Sequence, residues 1–161
     1  MSIKSDLKSW LRDCSRLVIL GIGNPLRGDD SLGLRIANNL RGKTPKNVKV
    51  IYGGITPENF VGKIKRFKPS HVLMIDAAHF GGKPGEPRLI PPENTSGIAL
   101  STHVMPLYIL AWLIQKETSA KVILLGIEPK NLNLGEEISP EVEKSIKQCS
   151  EMLIEVINKN G

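Results

Sequence analysis

The stretch from Leu17 to Gly33, L-V-I-L-G-I-G-N-P-L-R-G-D-D-S-L-G, constrains the fold more than any other part of the chain. Four apolar residues, Leu17 to Leu20, run into Gly21, the pattern of a buried parallel strand breaking into a loop. Gly21, Asn24 and Gly28 suit positive φ and Pro25 fixes one turn residue, so the loop is tight. It closes on adjacent carboxylates, Asp29 and Asp30, after which Leu32, Ile36 and Leu40 recur on one face of a helix. Acids at a helix start act as caps and face the positive end of the macrodipole. Two acids at the mouth of a strand–loop–helix unit also suit a metal site or acid/base chemistry. On this fragment alone both readings stand.

The rest of the chain repeats the strand–helix rhythm. Ahead of the first strand, Leu7, Trp10, Leu11 and Cys14 have helical spacing, which predicts an amphipathic helix over Ser5–Cys14 on the flank of the domain. Val48–Tyr52 is a second strand, and Thr56-Pro57-Glu58 reads as a capped helix start for the stripe Phe60, Val61, Ile64 and Phe67. His71–Ile75 is a third buried strand and runs directly into Asp76. Arg88–Ile90 is a short candidate strand, Met105–Gln115 an apolar helix, and Lys121–Gly126 a further strand. Ser139-Pro140-Glu141 starts a last helix, with Val142, Ile146, Cys149, Leu153 and Val156 on one face. The predicted fold is a single α/β domain over residues 1–161. It is a three-layer α/β/α sandwich with a mainly parallel twisted sheet, Arg88–Ile90 being the candidate antiparallel edge. In such sheets function gathers at the C-terminal ends of the strands.

Composition narrows the function classes. The net charge is +6, but aromatics are only 4% and no basic run is interleaved with them, so a nucleic-acid platform is poorly supported. Gly21, Gly23 and Gly28 miss the G-x-G-x-x-G dinucleotide spacing, no P-loop Lys-Ser/Thr follows, and adjacent acids would repel a pyrophosphate. The longest apolar run, Met105–Ile114, is too short to span a bilayer, and no signal-peptide pattern opens the chain. The expected location is therefore the cytoplasm. Cys14 and Cys149 lie far apart without a C-x-x-C and read as buried thiols. Abundant Lys and Glu beside only two Gln lean toward a hyperthermophilic source.

Under this fold three chemical features meet at one sheet edge. Asp29 and Asp30 follow the first strand, Asp76 ends the third, and His103 stands at the start of the apolar helix. Three of the chain's five Asp and one of its three His fall in these loops. Two carboxylates and an imidazole form a partial shell for a divalent transition ion, and Ni²⁺, Zn²⁺, Mn²⁺ and Fe²⁺ all fit. Structural alternatives exist for each residue: Asp76 as a loop cap, His103 as a helix-start residue bonded to backbone, His71 as a structural histidine opening a strand. His79, three residues beyond Asp76, is an alternative ligand, and Glu128, before Pro129, faces the same edge.

G-I-G-N-P-L-R-G-D-D-S-L-G at Gly21–Gly33, I-D-A at Ile75–Ala77 and S-T-H at Ser101–His103 together resemble the hydrogenase maturation proteases. The resemblance runs from about Leu17 to Pro129 and includes G-I-E-P at Gly126–Pro129. It implies an endopeptidase that removes the C-terminal extension from the nickel-loaded precursor of a nickel–iron hydrogenase large subunit. It further implies Asp30, Asp76 and His103 as metal ligands, and Asp30 and Asp76 with a supporting Asp29 as the catalytic carboxylates. Nickel is then expected to arrive with the precursor, as the partial ligand shell also allows. Glu128 stands where the family often has Gln, and the N-terminal helix is an addition. Two rivals share some of these features. A nickel-dependent chaperone could use the same ligands without cutting. A peptidyl-tRNA hydrolase also carries a G-x-G-N-P-like loop, but that family needs a histidine soon after it, and none precedes His71 here.

Overall fold

The computed structural model describes residues 2–96, 105–135 and 137–160. Its strands are β1 (Leu17–Ile22), β2 (Val48–Gly54), β3 (His71–Ala77), β4 (Pro87–Ile90) and β5 (Lys121–Ile127). The helices are α1 (Ile3–Trp10), α2 (Leu32–Leu40), α3 (Val61–Phe67), α4 (Leu107–Glu117) and α5 (Pro140–Asn160). The strands form one sheet in the order β2–β1–β3–β5–β4, parallel except for the antiparallel β4–β5 edge pair. From β1 the chain crosses to one side for β2 and returns on the other for β3. The loops leaving β1 and β3 therefore open at a topological switch point, the crevice where α/β sheets hold their sites.

Every residue of β1 and β3 is buried, as expected of central strands covered on both faces. Ile19, Leu73, Ile75 and Leu125 pack under α1, α2 and α5, against Leu7, Ile36, Leu40, Ile146 and Leu153. Val18, Leu20, Met74 and Leu124 pack on the opposite face against Ile64 of α3 and Leu107, Leu110 and Ile114 of α4. Val72 and Met74 face the α3/α4 layer, so strand alternation directs Asp76 to the same side.

Several local expectations change. The N-terminal helix runs Ile3–Trp10 rather than Ser5–Cys14, because Ser2 caps it by accepting the Ser5 N–H at 3.1 Å, and the chain turns after Trp10. Thr56 makes no side-chain cap: Pro57–Phe60 is a short 3₁₀ turn, and α3 begins only at Val61. α4 starts at Leu107, because Pro106 before it is itself extended, with ψ at 145°. Only one side of α4 is core, since Tyr108, Ile109 and Trp112 are exposed. Cys14 and Cys149 are both free thiols. His71 is buried beneath Trp10 in an edge-on ring contact. Its Nδ1 lies 2.8 Å from Ser70 Oγ and its Nε2 3.3 Å from Asp13, a structural role.

Candidate active site

The glycine loop brings the helix after it onto bare sheet backbone. A Cβ on Gly33, in the first turn of α2, would collide with the carbonyl oxygens of Ile22 and Ile75. Only glycine lets α2 settle over β1 and β3 together, and this close approach fixes the Gly28–Ser31 turn at the switch point.

Ser31, which precedes α2, makes no side-chain cap bond, and neither does Arg27 ahead of the turn. The two carboxylates of the turn engage different partners. Asp30 is wholly buried and its Oδ2 accepts the Asn24 N–H at 3.1 Å, so the loop orients the ligand candidate that ends it. Asn24 Oδ1 in turn accepts the Leu26 N–H at 2.9 Å, shaping the turn through Pro25.

Asp29, also wholly buried, does different work. Its Oδ2 accepts from the Lys130 and Asn131 N–H groups and the Ser139 hydroxyl, each at 2.8 Å, and its Oδ1 accepts the Ser139 N–H at 2.7 Å. The Asp29 N–H donates back to the Asn131 carbonyl at 2.7 Å. Gly28 makes room for that strap: its φ is +47° and an added Cβ would stand 2.6 Å from the Asn131 oxygen. Asp29 thus ties the segment between β5 and α5 to the glycine loop.

Asp76 is the penultimate residue of β3, 0% exposed, opposite Gly126 of β5 in register. Its Oδ1 accepts the N–H of Ala77 at 2.8 Å. Burial, reinforced by the negative charge of Asp30, pushes its acid well above the ordinary carboxylate range; the Ala77 N–H only partly opposes this. Two buried acids whose charges repel across the switch point favour a cation between them. The third expected ligand, His103, lies outside the described residues. Among the described residues no three His, Cys, Asp or Glu side chains gather as a metal cage.

A second carboxylate system borders this site. Glu128 follows β5, is nearly buried, and accepts from His79 Nδ1 at 2.8 Å, the Phe80 N–H at 2.9 Å and the Gly82 N–H at 3.0 Å. Burial alone would raise its acid, but these donors outweigh burial and hold it below the usual range. The sequence marks both His79 and Glu128 as edge residues but carries no signal for their pairing. The anchoring work of Asp29 is likewise invisible there, because its partners lie about 100 residues on. A groove of about 610 Å³ runs along the outside of the glycine loop and α2, lined by Pro25, Gly28, Arg35, Tyr52 and Ile138; neither Asp30 nor Asp76 lines it.

The hydrogenase maturation protease family model matches residues 34–156. A putative hydrogenase maturation protease from Methanocaldococcus jannaschii is 35% identical over 165 residues, covering 98% of this chain and 97% of that protein. The hydrogenase 3 maturation protease of Escherichia coli K12 is 39% identical over 114 residues, 70% of this chain and 72% of that one. Among solved structures, the NiFe hydrogenase maturation protease HycI from Thermococcus kodakarensis KOD1 superposes with a TM-score of 0.88 at 37% identity, covering 95% of this chain and 99% of that chain. The solution structure of the endopeptidase HycI from Escherichia coli gives a TM-score of 0.76 at 30% identity, over 85% and 88% of the two chains.

Proposed function

Because the chain belongs to the hydrogenase maturation protease family, we propose that it removes the C-terminal extension of a nickel–iron hydrogenase large-subunit precursor at the β1/β3 switch point, recognising the nickel that the precursor carries. The observation that carries this reading is the pair of wholly buried acids, Asp30 from the turn that follows β1 and Asp76 from the end of β3. Such a pair is unfavourable in the free protein and gains by meeting a divalent ion.

Asp30 and Asp76 would hold the ion from the protein side, with His103 as the third expected ligand, and the ion would supply Lewis-acid stabilisation of charge on a peptide carbonyl. Asn24 keeps Asp30 aimed through its backbone N–H, and Ala77 does the same for Asp76. Asp29 holds the backbone of Lys130, Asn131 and Ser139 against the glycine loop, beside the supporting catalytic part that the resemblance implies for it. Three exposed apolar residues, Leu26, Ile55 and Leu134, stand on the loops that leave β1, β2 and β5 at this edge. They support a protein substrate, whose docking would cover them.

The test mixes the purified chain with nickel-loaded and nickel-free precursor of its own hydrogenase large subunit and follows the mass of that subunit. Loss of a C-terminal peptide from the nickel-loaded form alone is the expected result. Binding without a mass change would replace the protease with a chaperone, and cleavage of both forms would keep the protease and remove the nickel requirement.

A further inference from the structure

The Glu128–His79 pair is more than a loop fastening. The segment after β3 is already strapped to the end of β5 by backbone: the Ala78 N–H donates to Ile127 O at 3.1 Å, Gly85 N–H to Glu128 O at 2.8 Å, and Glu128 N–H to Glu86 O at 3.0 Å. Glu128 Oε1 adds the Phe80 and Gly82 N–H groups. That strap needs only one carboxylate oxygen. The other, Oε2, is spent on the imidazole of His79, a side chain that is 53% exposed while the Glu128 side chain is 7% exposed. A nearly buried carboxylate holding a half-exposed imidazole fixes the ring's direction at the surface. It also fixes its chemistry. A carboxylate offers no proton, so in the neutral ring Nδ1 is the donor and Nε2 is left as an acceptor. The register Asp76↔Gly126 and Ala77↔Ile127 sets His79 and Glu128 together at the strand ends, one turn of chain beyond Asp76.

We propose that His79 is a substrate-binding residue of this site, its Nε2 accepting a hydrogen bond from a backbone N–H of the precursor peptide laid across the strand ends, and that Glu128 is the positioning residue that fixes the tautomer. The proposal rests on the protease reading above for the identity of the peptide. A bond made alike before and during cleavage strengthens binding without accelerating the chemical step.

The experiment measures the Kd of the nickel-loaded precursor and its cleavage kinetics for the wild type, His79→Ala, His79→Gln and Glu128→Gln, with ¹⁵N spectra of the imidazole above its titration range. His79→Ala should raise Kd and KM about tenfold with kcat unchanged. His79→Gln, which restores an acceptor, should recover part of the loss. Glu128→Gln keeps an oxygen for Phe80 and Gly82 but turns an N–H toward Nδ1, so the proton moves to Nε2. It should match His79→Ala in KM while its Tm holds near the wild-type value, and the ¹⁵N spectrum should show the exchanged tautomer. A merely structural role predicts the reverse: KM untouched and Tm lowered. The proposal is overturned if His79→Ala leaves Kd and KM unchanged, or if neutral His79 in the wild type carries its proton on Nε2. A wild type that binds the precursor without cutting it would remove the protease reading, yet the His79 comparison would still be read in Kd.

Discussion

Gly33 rests against the carbonyl of Ile75, so that the helix following Asp30 touches the strand carrying Asp76 one residue before that acid. The contact sets the spacing of the two carboxylates, and a Cβ at Gly33 would have to displace backbone on both β1 and β3. Gly33→Ala is expected to cost roughly 2 kcal/mol or more, a fall in Tm of roughly 4–8 °C for a domain of this size. Cleavage should fall further than the lost folded fraction explains, because Asp30 moves with the helix. Calorimetry paired with a cleavage assay on the folded fraction checks both.

Asp76 and Asp29, both wholly buried, should respond oppositely to the same change. Asp76→Asn keeps the oxygen that accepts the Ala77 N–H and removes a buried charge facing Asp30, so the variant should melt higher than the wild type. The pH dependence has a definite sign. A carboxyl raised in the folded state binds its proton there at pH values where the unfolded chain has lost it. Its stabilising share is complete below the ordinary carboxylate range and disappears as pH rises through the raised value. The Tm advantage of Asp76→Asn should therefore widen from acid toward neutral pH, as scans of both proteins in metal-free buffer would reveal. A constant difference would mean that Asp76 is not held protonated.

Asp29→Asn instead keeps one acceptor oxygen and turns its amide donor either on the Ser139 N–H or on the N–H groups of Lys130 and Asn131. The expected cost is about 3 kcal/mol, since at least one buried N–H is left facing a donor and the remaining bonds are weakened. Ser139→Ala removes one of them and should cost about 1.5 kcal/mol. Urea titrations measure both, and hydrogen exchange should show the 130–139 segment opening first in the Asp29 variant.

Much of this was legible in the chain. Leu17–Leu20 and His71–Ile75 announce central parallel strands because both of their faces are apolar, and Arg88–Ile90 falls in the antiparallel edge strand that the sequence suggests, its partner β5 being seen only in the structure. The strand order, which sets β1 beside β3, was not legible, because right-handed crossovers allow several orders. Helix ends were less legible: Ser2 and Pro106 moved two of them, through a hydroxyl cap and an extended proline. What the sequence could not express was the division of labour between neighbours. Asp29 and Asp30 look alike as a pair of acids, and only a segment a hundred residues away, folded back onto Asp29, separates an anchor from a site residue. Glu128 and His79 are likewise ordinary edge residues until the strand register brings them within 2.8 Å.

The central claim is that the buried Asp30–Asp76 pair is the working site. The most direct test is the rate at which Asp30→Asn and Asp76→Asn release the C-terminal peptide from nickel-loaded precursor, each variant first shown to be folded. The account predicts a loss of at least about 100-fold in both, with the Asp76 variant melting above the wild type. Cleavage at the wild-type rate by a folded Asp76→Asn protein would contradict it.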